Sequence, residues 1–147
     1  MFYNNVKKGI NQYKKTQIMT ADKGELVNML YVGSIKFLNT AKSAIEDKKY
    51  DLANKALVRV QRILVELMLG LNPKANEIAK NLYSLYDYMH YRLIEANVHK
   101  NNEFVDEVIE LLSDLQSTWD EALKKNKIHK TDKRTYANSE GGLNIIG

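Results

Sequence analysis

The chain has 147 residues, enough for one domain with a real core, and its apolar and charged fractions of 44% and 27% are those of an ordinary globular protein. It holds no cysteine, which excludes disulfides, a thiol nucleophile and any cysteine metal site, and its single proline and seven glycines favour long uninterrupted helices. The net charge of +4 misleads until it is placed, because residues 1–21 carry four lysines and no acid, residues 124–147 six basic and two acidic side chains, and residues 22–123 twelve basic and sixteen acidic. The folded part is therefore acidic and the ends are basic, which reads as solvated ends rather than a nucleic-acid face. No apolar run follows the N-terminal lysines and none reaches transmembrane length, so neither a signal peptide nor membrane insertion is expected, and the expected location is the cytoplasm.

In chain order, residues 1–21 place Tyr3, Val6, Ile10 and Tyr13 at helical steps, with Ile18 and Met19 following in an extended link. Such a segment either frays or docks its anchors on a groove. Asp22 and Glu25 have the spacing of a capping box, and a first helix follows to about Lys48. Its apolar face carries Leu26, Leu30, Phe37, Ala41 and Ile45, widened by Val27, Met29 and Leu38. Gly33 and Ser34 are small and mark a place where another helix could come close. Asp51 can cap a second helix, whose Ala53, Ala56 or Leu57, Val60, Ile63 or Leu64, Leu67 and Leu71 form a near-heptad seam. Gly70, Asn72 and Pro73 end it. The spacing predicts a third helix from about Lys74 to Val98, with Ile78, Leu82, Leu85, Met89, Leu93 and Ala96 on one stripe. Asn102 is placed to cap a fourth, carrying Val105, Val108, Leu112, Leu115, Trp119 and Ala122. Beyond Leu123 the apolar pattern stops, and residues 124–147 read as a flexible basic tail. Four similar helices on short links give an all-α fold, an antiparallel up-down-up-down four-helix bundle over residues 22–123.

The chemistry expected is contact rather than catalysis. Asp87-x-x-His90 and Glu95-x-x-x-His99 lie on one helix and are not duplicated on another, unlike the ligand pairs of di-iron bundles. No phosphate loop, nucleophile elbow or zincin motif is present, so no catalytic residue, metal or cofactor is expected. Arg92 is placed to pair with an acid on a neighbouring helix. The third helix is instead ringed by tyrosine. Tyr86 borders the apolar stripe and reads as core. Tyr83, Tyr88 and Tyr91 lie off it, and either rim the core or meet a partner.

Residues 81–97, read as Asn81-Leu82-x-x-Leu85-Tyr86-Asp87-Tyr88-Met89-x-x-Arg92-Leu93-x-x-Ala96-Asn97, resemble the signature helix of the flagellin export chaperone family, FliS. Gly9-Ile10-x-x-Tyr13, Thr20-Ala21-Asp22-x-x-Glu25-Leu26, Met29-Leu30-Tyr31-x-Gly33 and Glu107-Val108 through Trp119 resemble other parts of that family in the same order. The resemblance implies an antiparallel bundle that binds the C-terminal segment of flagellin in the cytoplasm, blocks premature polymerisation and presents the cargo for export, with an export-gate component as a further contact. It also implies that the N-terminal segment plugs a groove until cargo displaces it. The partner-binding residues expected on this basis are Val6, Ile10, Tyr13, Ile18 and Met19 of the plug, Leu26, Met29, Leu30 and Tyr31 of the first helix, and Tyr83 and Tyr88 of the third. More of the binding is expected from the plug and the first helix than from the signature stretch. The competing reading is a non-catalytic adaptor or homodimer with the tyrosine face buried between copies.

Overall fold

The computed structural model describes residues 23–137, with side chains to residue 126. Four helices follow one another: α1 (Lys23–Glu46), α2 (Tyr50–Leu69), α3 (Glu77–His99) and α4 (Asn102–Ala137). Each packs against its neighbours in sequence, and α4 closes the ring against α1. The result is the up-down-up-down bundle that four amphipathic stripes on short connections dictate.

The core is those stripes brought together. Tyr31, Ser34, Leu38, Ala41 and Ala44 of α1 are buried at three- and four-residue steps. They meet Ala53, Ala56, Leu57, Val60, Leu64, Leu67 and Met68 of α2. Tyr86, Met89, Leu93 and Ala96 enter from α3, and Val105, Val108 and Leu112 from α4. Each fully buried leucine contributes about 1.5–3 kcal/mol. Packing is uneven along the axis. Towards the α1–α2 and α3–α4 connections, buried Ala41, Ala44, Ala53, Ala56 and Ala96 let the backbones approach closely. At the opposite end Val27, Leu30, Leu71, Leu82, Leu85, Leu115 and Trp119 are only partly covered.

The helix ends correct several expectations. Both tight connections are closed by a lysine at positive φ, Lys48 at 59° and Lys100 at 49°. In each, the next amide reaches back five residues, Lys49 N–H to Ala44 O at 2.8 Å and Asn101 N–H to Ala96 O at 3.2 Å. A left-handed lysine is costly, and Lys100 offsets this by donating from Nζ to Asn97 O at 2.6 Å and Oδ1 at 2.7 Å. α2 starts at Tyr50 with Lys49 as a cap that makes no side-chain bond, so Asp51 sits in the first turn and acts on the dipole instead. The cap of α4 is Asn101, whose Oδ1 accepts from Glu103 N–H at 2.8 Å. Asn102 instead donates from Nδ2 to Lys42 O at 3.2 Å, pinning the start of α4 to the end of α1. α3 starts at Glu77, not Lys74, because Asn76 Oδ1 accepts from Ala79 N–H at 2.8 Å. Asn76→Ala should cost about 0.5–2 kcal/mol, read as a lower urea midpoint at unchanged slope.

Three side chains depart from their expected places. Ile78 is 78% exposed rather than part of the core stripe, because it lies in the first turn of α3 and opposite it α2 has already ended at Leu69. Gly33 does not mark a close approach, since a Cβ built on it meets nothing within 4 Å. α4 continues to Ala137 rather than stopping at Leu123. Residues 124–137 lack an apolar stripe but also lack glycine and proline, so nothing in them breaks the helix. Lys42–Asp106 (2.8 Å), Gln116–Asn28 (3.1 Å) and Trp119 Nε1–Gly24 O (2.8 Å) fix the register, and they carry the last turns of α4 past the described start of α1. The expected cap Asp22 and the segment 1–21 lie outside the described residues.

Candidate functional site

Helical geometry places Leu26, Met29, Leu30, Gly33, Phe37 and Thr40 on the α2-facing flank of α1. Met29, Gly33 and Phe37 follow one another at four-residue steps, so the glycine is a notch in an otherwise apolar edge. Leu26 and Leu30 are half-buried and Met29 is exposed. Lower down, Phe37 and Thr40 face Leu52, Ala56, Val58, Lys55, Arg59 and Arg62 of α2 across an open groove of about 600 Å³. The Arg59 guanidinium lies over the Phe37 ring, 4.9 Å from its centroid, a cation–π contact that leaves the charge at the groove edge.

Tyr31 does not belong to this edge. It is fully buried and its hydroxyl bonds to that of Tyr86, so its expected partner contact gives way to a place in the core. Its ring meets Tyr86 at 6.4 Å and Trp119 edge-on at 5.9 Å. Burial pushes both tyrosine hydroxyls above their ordinary range, so the pair stays neutral.

The other tyrosines separate by face. Tyr88 donates to Glu107 Oε1 at 2.8 Å. Arg92 donates from Nε to the same oxygen at 2.8 Å and from Nη1 to Glu95 at 3.1 Å. Arg92 also covers the Phe104 ring at 4.1 Å. The Tyr88 hydrogen bond, followed by Arg92, holds the Glu107 carboxyl below its usual range. Arg92 thus pairs with the neighbouring helix as expected, and Tyr88 is committed to an α3–α4 seam with only its ring half out of water. Tyr83 sits on the α2 side of α3, with Ile94 about three helical turns along the same flank, and both are exposed. Tyr91 is 59% exposed on the outer face.

Neither carboxylate–histidine pair forms a ligand set. Glu95 is tied to Arg92, and His99 packs beside Phe104 at 6.4 Å. His90 is half-buried, and loss of water lowers its tendency to protonate. Among the described residues no group of three or more His, Cys, Asp or Glu is placed to hold a metal ion. No described helix is long and apolar enough to cross a membrane. Val6, Ile10, Tyr13, Ile18 and Met19 lie outside the described residues. The groove cations Lys55, Arg59 and Arg62 were not anticipated as site residues. Their i, i+4, i+7 spacing was the available signal.

Such a molecule is a helical bundle that presents an open groove with an apolar floor and, on another face, an ion-paired seam. The family model described as flagellar protein FliS matches residues 6–126. The flagellar secretion chaperone FliS of Bacillus subtilis (strain 168) is 33% identical over 115 residues, 78% of this chain and 86% of that protein. The FliS proteins of Vibrio cholerae and Salmonella typhimurium are 32% and 33% identical, each over 76% of this chain and 86% and 87% of their own lengths. The chain belongs to the FliS family of flagellar secretion chaperones, and its role is that of an export chaperone.

Proposed function

We propose that this protein is a cytoplasmic chaperone that holds the C-terminal amphipathic segment of flagellin along its apolar grooves, prevents its premature polymerisation and aids its delivery to the export apparatus. The observation that carries this reading is the unfinished apolar edge of α1. Phe37 and Thr40 line one side of a groove that the bundle leaves open, and half-buried Leu26 and Leu30 with exposed Met29 continue the same flank of α1 beyond it. A helix with apolar side chains at three- and four-residue steps would complete it. Tyr83 and Ile94, on the far side of α2, extend the contact to a segment that wraps around the bundle.

Titration calorimetry with a synthetic flagellin C-terminal peptide tests this. A 1:1 complex with a negative heat-capacity change is expected. A constitutive dimer that ignores the peptide would overturn it and favour the adaptor reading. Residues Val6, Ile10, Tyr13, Ile18 and Met19 enter the proposal as a plug that shields the groove until cargo arrives. Tyr13→Ala should leave cargo binding as tight or tighter while the free protein aggregates sooner. Weaker binding would instead make Tyr13 a cargo contact.

A further inference from the structure

The acidic character of the folded part hides a division between its halves. Residues 23–69, which hold α1 and α2, carry eight basic and five acidic side chains. Residues 77–123, which hold α3 and most of α4, carry three basic and ten acidic ones. The groove described above lies wholly on the positive half. Its α2 edge presents Lys55, Arg59 and Arg62 on one flank, beside the apolar floor of Phe37, Leu52 and Ala56.

Among the described residues neither Lys55 nor Arg59 forms an ion pair, whereas Lys42, Arg92 and Lys124 do. Arg62 is disfavoured as a cation by loss of water and, next, by the charge of Arg59. A carboxylate arriving between them would relieve that repulsion.

From this placement we infer that the α1–α2 groove selects a helix carrying a row of carboxylates beside its apolar stripe, with Lys55, Arg59 and Arg62 reading that row and fixing the helix's direction. The inference rests on the proposed cargo reading and adds to it the charge and polarity of the bound segment. The apolar floor gives affinity and says little about direction. The three cations lie along one edge only, so a helix laid in reverse would turn its carboxylates away from them. The acidic α3–α4 half offers no such row, so the carboxylate-bearing part of the segment is drawn to the α1–α2 groove. A bare polyanion such as a nucleic-acid strand would match the cations but not the floor.

The test uses the full chain and two synthetic peptides. One is the flagellin C-terminal segment, and the other is the same segment with every Asp and Glu replaced by Asn and Gln. Calorimetry is run at low and at high salt, on the wild type, on the triple variant Lys55→Gln, Arg59→Gln, Arg62→Gln, and on Phe37→Ala. The inference expects the triple variant to bind the natural peptide about 10-fold more weakly at low salt, with the gap closing at high salt. It expects the amide peptide to bind both proteins equally, and Phe37→Ala to weaken both peptides at either salt. Wild-type binding with no effect of the triple variant overturns the inference and leaves the cargo reading standing. An effect of the triple variant that is the same for both peptides also overturns it, because the cations would then act on something other than carboxylates. Absence of binding by the wild type overturns both.

Discussion

Tyr86→Phe is expected to destabilise the bundle more than the double change Tyr31→Phe, Tyr86→Phe. The two hydroxyls bond to each other across the core, joining the diagonal helices α1 and α3. Removing one leaves a buried hydroxyl without a partner, at about 1–3 kcal/mol. Removing both leaves two phenyl rings in nearly the same space. The pair can use only one of its two protons as a donor to the other oxygen, so the native bond is itself incomplete. The double variant should therefore lie within about 1 kcal/mol of the wild type. Urea midpoints at unchanged slope measure the cycle. Additive losses would mean that each hydroxyl has a separate partner. The same pair sets the alkaline limit. Both hydroxyls ionise later in the fold than at their ordinary value of 10.0, so below that pH their contribution is fully present. Above it the unfolded chain releases protons that the native pair retains, and stability falls by up to about 1.4 kcal/mol per pH unit for each group. The double variant should lose that slope.

The second large effect is expected at Gly33, with opposite signs for folding and for binding. A Cβ there meets nothing within 4 Å, and the residue lies in the middle of α1. Gly33→Ala should stabilise the fold by about 0.5–1 kcal/mol, by reducing the freedom of the unfolded chain. Gly33→Leu should keep most of that gain, since its side chain extends into the notch between Met29 and Phe37. If a cargo side chain fills the notch, leucine displaces it and the flagellin peptide should bind about 10- to 100-fold more weakly. Calorimetry beside urea unfolding separates the two effects. Unchanged binding by Gly33→Leu would move the cargo off this edge.

The stripes were readable because core burial imposes the 3.6-residue period directly on the sequence. Leu38, Val60, Met89, Leu93 and Leu112 all fell where the spacing placed them. Helix ends were less readable, because several polar residues can cap and only geometry chooses among them. Asn76 caps α3, and Asn101 rather than its neighbour Asn102 caps α4. The burial of Tyr31 is not legible from α1 alone, because the hydroxyl it bonds belongs to Tyr86 on the diagonal helix. The cationic edge is hidden in a charge count over residues 22–123, which averages two halves of opposite sign.

The gradient of packing along the axis has a further consequence. Alanines and two tight connections lock one end, while the other is held by side chains that already touch water. Free energies of local opening then differ along each helix. Segments around Leu57, Leu93 and Val108 should open only with the whole molecule, whereas the starts of α1 and α3 can fray and reclose on their own. Rearrangement at that end therefore costs a fluctuation rather than an unfolding.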